Sequence, residues 1–315
     1  MKVVKPKRNI AYPMLVLLGP HTTCNYRCVF CENPHMEHKN NSLEKFLTPD
    51  IQKLIEHAQT VDISGYGEII SNPDFKKIVN LMNNYNRKFS MSTNGALLTN
   101  DTVDFLANSS LKLLNVSLNS LNPKTYTYLS GGRGNLNKVL NNLKYLWNIE
   151  KKFSVCISLV ITEQVITEFD DFVEYAYKNK VDRVRFSPLT TTIQNYPNEI
   201  IIKDEEKYKT LLKQAQKKAK QLNVSLQSPN LDKPPRNVID KSSCRAPYFM
   251  VCIDHNNDVI PCCWLGNGEH KLIMGNLNNQ SFDNIWNSDK YQEFRNSVNI
   301  EGGKKYCQHC GEFNY

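Results

Sequence analysis

Met14-Leu-Val-Leu-Leu18 is followed within six residues by Cys24-Asn-Tyr-Arg-Cys28-Val-Phe-Cys31. The apolar run reads as a buried first strand, and the cysteines as a loop just after its end. Three thiolates on one short loop can hold three irons of a four-iron cluster, because such clusters are ligated by cysteine sulfur. The fourth iron then has no protein ligand, and a metal with an open position can bind a small molecule and do chemistry. Cys28-x-x-Cys31 alone would also serve as half of a structural zinc site.

Outward from this stretch, short apolar runs alternate with helical patterns. Further strands are expected at Val61–Ser64, Phe89–Ser92, Leu113–Leu118, Ser154–Ile161 and Arg183–Phe186. Pro49 and Asp50 open a helix carrying Ile51, Leu54, Ile55 and Ala58. Asn72 and Pro73 read as N-cap and first residue of another, with Phe75, Ile78, Val79 and Met82 on its apolar face. Leu136, Val139, Leu140, Leu143 and Leu146 make a third stripe, and Phe169, Phe172, Val173 and Ala176 a fourth. Strands alternating with helices imply a parallel sheet with right-handed crossovers. The fold class is α/β, a partial (β/α)6 TIM-like barrel followed by a small β-hairpin and helix module.

Such an array puts its site in the loops at the C-terminal ends of the strands. After the cysteine loop, Gly65-Tyr66-Gly67-Glu68, Ser92-Thr93-Asn94-Gly95, Ser117-Leu118-Asn119-Ser120 and Ser187-Pro188 all fall on that rim. Each is an ordinary turn segment alone. Their agreement on one rim beside three thiols is the strong signal.

Composition narrows the class. The 315 residues are 40% hydrophobic and 22% charged, enough for one large domain or a large and a small one. The ten cysteines are grouped rather than scattered. The basic start before Met14–Leu18 imitates a signal peptide, but the run is short and broken by Pro13. No run is long enough for a membrane span. A reducing cytoplasm and metal ligation are the expected setting for the thiols. Much of the +8 net charge lies on Lys203–Lys220, where Tyr208, Leu212, Ala215 and Ala219 mark an amphipathic helix. Its basic side reads as a solvated face rather than a nucleic-acid surface.

From Tyr12 to Leu189 the chain resembles the radical S-adenosylmethionine (radical SAM) superfamily, down to Phe30 before the last cysteine. The resemblance implies that Cys24, Cys28 and Cys31 hold a [4Fe–4S] cluster whose open iron chelates S-adenosylmethionine (SAM). Gly65, Gly67 and Glu68 match the segment that receives the SAM amino group; Thr93, Asn94, Ser117 and Asn119 match polar positions near its carboxylate and ribose. Ser187, on the same rim, is taken with them, as is Arg133, in a Gly-rich loop where relatives often carry Arg. Tyr66, Ile69 and Asn119 depart from the usual pattern, which has adjacent glycines, a Pro after the Glu and an Asp.

Residues 190–243 turn Asn-, Lys- and Pro-rich and read as a helix and linker. The remainder, 244–315, holds a hairpin about His255-Asn-Asn-Asp258, a helix with Ile285, Trp286 and Phe294, and Cys307-Gln-His-Cys310. It resembles the auxiliary-cluster module of radical SAM enzymes in its shorter "twitch" form, related to SPASM. Cys244, Cys262, Cys307 and Cys310 match its ligand positions for a second [4Fe–4S] cluster, and a zinc site held by the same four cysteines is the competing reading. Cys156 and Cys252 read as core residues. Cys263 reads as a spare ligand or a hydrogen-atom donor, and Arg185, on the last barrel strand, as a candidate substrate contact.

The resemblance implies reductive cleavage of SAM to a 5′-deoxyadenosyl radical, fed by an electron donor such as flavodoxin or ferredoxin. That radical would take a hydrogen from a polar small molecule such as a sugar or aminocyclitol, or from a peptide. The core starts by Met14 with no leader-recognition domain ahead of it, which favours the small molecule. An oxidised product is expected. An epimerase with a Cys hydrogen donor is one alternative, and a non-catalytic zinc or Fe–S protein another.

Overall fold

The strands are set by alternation of apolar and polar residues, and the sheet by what each face meets. The structure, a computed structural model, describes residues 12–35, 42–189, 197–231, 244–266, 271–303, 305–307 and 310. Six strands run in chain order: β1 (Leu15–Leu18), β2 (Thr60–Ile63), β3 (Phe89–Thr93), β4 (Leu111–Ser117), β5 (Ser154–Ile161) and β6 (Arg183–Pro188), all parallel to their neighbours. Val16, Leu18, Val61, Ile63, Phe89, Met91, Leu114, Val116, Val184 and Phe186 are buried. They share the core with Phe46 of the short α1 (Leu43–Phe46) and with the apolar faces of the covering helices α2 (Pro49–His57), α3 (Phe75–Asn84), α4 (Asn100–Ala107), α6 (Leu136–Asn148) and α7 (Phe169–Lys178).

The alternate residues are different in kind. Asp62, Ser90, Ser92, Asn115, Ser117, Arg185 and Ser187 are half-buried on the other, concave face. They touch across strands: Ser90 Oγ donates to Asp62, Asn115 Nδ2 to Ser92 Oγ at 3.3 Å, and Ser64 Oγ to Ser92 Oγ at 3.3 Å. A closed TIM barrel fills that space with branched apolar side chains. Here the sheet stays open and its hollow is polar.

Helix starts follow local chemistry. Thr48 Oγ1 caps α2 at Ile51 N with Pro49 in the first turn, and Thr99 caps α4 at Thr102 N. Asn72 does not cap α3. Its Oδ1 accepts from Asp74 N at 2.8 Å in a turn of its own, and the helix begins at Phe75 with Asp74 as N-cap. That carboxylate gives no side-chain cap because it accepts from Leu43 N and pairs with Lys77.

Both edges of the sheet carry strands beyond the expected six. After α8 (Glu205–Gln221), β7 (Leu226–Gln227) pairs parallel with β6. Lys218 of α8 pairs with Glu174 and Asp170, both on α7. The segment expected as a helix and linker thus holds that helix and, beyond expectation, a further strand of the sheet; positions 190–196 and 232–243 lie outside the described residues. On the other edge, β8 (Met250–Ile253) pairs parallel with β1 and antiparallel with β9 (Asp258–Ile260), which pairs with β10 (Gly275–Asn276). The cysteine-rich module thus extends the same sheet, ten-stranded among the described residues. Its expected single helix is two, α10 (Phe282–Trp286) and α11 (Asp289–Glu301), because Ser288 caps the second at Tyr291 N. Among the described residues no helix is long and apolar enough to cross a membrane.

Candidate active site

The loop after β1 is built to present sulfur. Cys31 N–H donates to Cys28 O at 3.0 Å and closes a turn. Arg27 N and Val29 N donate to Ser130 O (3.2 Å) and Leu129 O (3.1 Å), at the end of α5 (Pro123–Leu129). Gly131, at φ +68°, lies under this loop so closely that an added Cβ would stand 1.9 Å from Arg27 O. From the other side Glu68 N donates to Thr23 O at 2.9 Å, and Asn33 Nδ2 donates to Thr22 O and, at 2.7 Å, to Tyr66 O. His21 is 2% exposed and donates through Nε2 to Glu68 O at 2.9 Å; burial lowers its pKa, which keeps it neutral. An added Cβ on Gly67 would meet Thr23 O at 2.6 Å, so only glycine lets the two loops touch.

Cys24, Cys28 and Cys31 line one cavity of about 220 Å³. Gly65, Gly67, Glu68, Thr93, Asn94, Ser117, Asn119 and Ser187 line it too, all of them expected from sequence. Arg133 does not: it is exposed, and only its charge reaches Cys24. Asn94 Nδ2 reaches Asn25 Oδ1 of the cysteine loop at 2.7 Å, and Asn119 Oδ1 accepts from Val160 N at 3.0 Å. Sequence reading missed the aromatic wall, Tyr26 and Tyr126 with hydroxyls 3.4 Å apart, and Ser158 on β5. Tyr26 lies inside the cysteine motif and was a readable signal; Tyr126 sits on a short polar helix that leaves no clear stripe.

Glu68 is 3% exposed and accepts from Thr93 Oγ1 (2.8 Å), Asn94 N (2.7 Å) and Ile70 N (3.2 Å). Burial raises its pKa, and these three donors oppose that rise. Its role is to lock the β2 loop to the β3 loop. Glu68→Gln puts an amide N–H against donors, so stability is expected to fall by about 1–3 kcal/mol. SAM affinity, read by anaerobic equilibrium binding, is expected to fall about tenfold as the loops separate, the equivalent of one such lost contact.

The sulfurs suit a cluster by their own chemistry. Burial pushes the Cys24 thiol up to about 11, and burial with the charges of Cys31 and Cys24 pushes Cys28 up as well. Burial also raises Cys31. Metal coordination removes the need to carry that charge free. Tyr26 N and Asn33 N already donate to the sulfurs of Cys24 and Cys31 at 3.4 Å, the contacts that tune iron–sulfur sites. Among the described residues no cysteine is joined in a disulfide. Among the described residues no three His, Cys, Asp or Glu side chains are gathered as for a single metal ion.

A second cavity, of about 370 Å³, adjoins the first and shares Phe30, Cys31, Gly65 and Tyr66 with it. Its far wall is the C-terminal module, through Cys252, Asp254, Ile260, Cys263 and Gly266. Cys252 is therefore a lining residue rather than a core one, because its place on β8 turns it inward beside Leu17. Cys156 is fully buried, and Cys263 is exposed at the second cavity and in contact with Cys262. Tyr66 OH donates to Gly266 O, joining the β2 loop to the module. Cys310 N donates to Cys307 O at 3.2 Å, the same turn that Cys28 and Cys31 make. Cys244 stands just ahead of the short α9 (Ala246–Phe249). Arg185 lies two residues before Ser187 on the same face of β6, one layer below the cavity lining.

Comparison with known proteins agrees with this geometry. The family model described as the radical SAM superfamily matches residues 19–176, and one described as an iron-sulfur cluster-binding domain, SPASM, matches 244–311. A probable GTP 3′,8-cyclase of Methanococcus aeolicus is 28% identical over 195 residues, 58% of this chain and 62% of that protein. A second, from Methanococcus vannielii, is 35% identical over 116 residues, 35% of this chain and 37% of that one. The chain thus covers less than two thirds of the length of these relatives. A tungsten-containing aldehyde ferredoxin oxidoreductase cofactor-modifying protein of Pyrococcus furiosus is 23% identical over 292 residues, 86% of this chain and 80% of its own. Among solved structures, Streptococcus suis SuiB bound to S-adenosylmethionine has a TM-score of 0.74 at 22% identity, covering 90% of this chain and 68% of SuiB, a likeness of fold. With three thiols and the strand-end loops on one cavity, and with more than half its length matched, the chain belongs to the radical SAM superfamily, whose cofactors are SAM and a [4Fe–4S] cluster, and carries a SPASM-type auxiliary iron–sulfur module.

Proposed function

We propose that this radical SAM enzyme acts on a polar small molecule, of sugar or aminocyclitol type. In this reading Cys24, Cys28 and Cys31 hold the SAM-binding cluster, and Cys244, Cys262, Cys307 and Cys310 hold the second. The observation that carries the substrate class is the concave face of the sheet, where serines, Asn115, Asp62 and Arg185 replace the apolar filling of a barrel. A wall of hydroxyls, amides and charges repays its desolvation only when a ligand supplies matching polar groups. The relatives named GTP 3′,8-cyclase also bear the name of a small-molecule reaction. A peptide is the second reading, supported by likeness of fold to SuiB bound to precursor peptide SuiA, with a TM-score of 0.73.

The reduced cluster, when bound, supplies the electron that splits SAM into methionine and a 5′-deoxyadenosyl radical. The protein's part is placement. Gly65 and Gly67 leave backbone open to the SAM amino group. Asn94, Ser117, Asn119 and Ser187 offer donors and acceptors to its carboxylate and ribose, with Arg133 reaching in by charge alone. Tyr26, Phe30 and Tyr126 keep water from the thiols. The domain limits proposed are 1–189 for the core, 190–243 for the helix and linker and 244–315 for the auxiliary module. The reductant is a protein such as flavodoxin or ferredoxin.

Anaerobic reconstitution tests the reading. The expected result is about eight irons per chain, and 5′-deoxyadenosine on addition of SAM and dithionite. Colourless protein holding zinc at both sites would sink it. With a substrate in hand, a product two hydrogens lighter is expected. Unchanged mass in light water, with one deuterium gained at carbon in heavy water and lost in Cys263→Ala, would make the enzyme an epimerase.

A further inference from the structure

Two opposite charges face the hollow of the sheet without pairing. Asp62 on β2 accepts from Ser90 Oγ, and Arg185 on β6 donates through Nε to Gln227 Oε1 at 3.1 Å. Arg185's charge reaches Asp62, yet no ion pair joins them. Among the described residues the two terminal nitrogens of Arg185 make no hydrogen bond. They form the planar fork that takes a carboxylate or phosphate through two parallel bonds. Between the two strands, Asn115 Oδ1 is buried without a partner, a second group left for something to bind. Burial raises the Asp62 carboxyl, against the hydroxyls of Ser64 and Ser90 and the charge of Arg185. A cation beside it would reverse that rise.

Ser187 lines the SAM cavity, and Arg185 lies two strand residues below it, roughly 7 Å deeper. A molecule held there would sit beneath bound SAM.

We propose that Asp62 and Arg185 are the two poles of a substrate subsite for a zwitterionic small molecule, its carboxylate or phosphate on Arg185 and its ammonium on Asp62. This rests on the polar-substrate reading above and narrows it. Asn115 takes a further hydrogen-bond donor of the same ligand.

The test reads binding, not turnover, so it can fail separately from the radical SAM reading, which stands or falls on 5′-deoxyadenosine from the wild-type protein. Cluster-loaded protein with SAM is titrated calorimetrically with O-phosphoethanolamine and with β-alanine. Ethanolamine and acetate are the one-ended controls. At least one two-ended probe is expected to bind about tenfold or more tightly than either control, as a charge-assisted bidentate contact allows. Which probe wins tells phosphate from carboxylate. The advantage is expected to vanish in Arg185→Gln and in Asp62→Asn, and to survive in part in Arg185→Lys. Asp62→Asn is isosteric and Arg185→Lys keeps the charge, so both guard against loss of fold. Neither probe exceeding the controls, or affinities unchanged in both Arg185→Gln and Asp62→Asn, would overturn the proposal.

Discussion

Cys24→Ala, Cys28→Ala or Cys31→Ala is expected to leave no detectable 5′-deoxyadenosine and to lower bound iron from about eight to about four per chain. The three sulfurs face one cavity, and the loop that carries them is pinned on two sides by backbone hydrogen bonds. On the proposed ligation, removing one thiol leaves two for a cluster that would be held by only three corners. Cys307→Ala should show the converse: iron again falls by about half, while dithionite-driven 5′-deoxyadenosine persists. Cys307 and Cys310 occupy their own turn, away from the SAM cavity's lining. Equal loss of 5′-deoxyadenosine in Cys307→Ala would show that the module is needed to fold or to reduce the first site. That coupling has a physical route, since β8 pairs directly with β1 and Tyr66 bonds to Gly266.

Gly131→Ala is expected to cost about 2–5 kcal/mol of stability, from about 1–3 for overpacking and 1–2 for left-handed backbone. The added methyl would stand 1.9 Å from Arg27 O, a backbone atom that cannot move without the whole cysteine loop. Gly131 also sits at φ +68°, where a side chain is strained whatever the space. The substitution should therefore lower iron retention as well as the denaturation midpoint. Gly132→Ala is the control: it shares a positive φ (+78°) but has nothing within 4 Å of its added carbon. It should lose about 1–2 kcal/mol for the backbone strain and keep its iron. Equal iron loss in both variants would show that the contact with Arg27 is not what holds the loop.

The strands were legible because their periodicity is strict. Ser154–Ile161 is found as expected, and the other five core strands differ from expectation at their ends by three residues at most. The rim loops were legible because strand ends in a parallel sheet share one side, so placing the strands places the loops. Helices α4 and α5 were not, since they are short and their stripes weak; Tyr126 and the wall it builds went with them. Asn72 misled because an Asn before Pro serves a turn as well as a helix cap.

By itself the sequence determined the class of chemistry, because thiol spacing within eight residues is local and survives any packing. It determined the six-strand core, because alternation and helical stripes are also local. What only the tertiary structure decided involves pairs far apart in the chain. The edge pairing of β8 with β1 makes the auxiliary module part of the same sheet. Cys252 and Cys263 then border a cavity shared with Cys31, more than 200 residues away. The placing of Asp62 and Arg185 on one face is of the same kind. On paper they are charged residues on two strands far apart in the chain; only the curvature of an open, twisted sheet turns both toward one hollow.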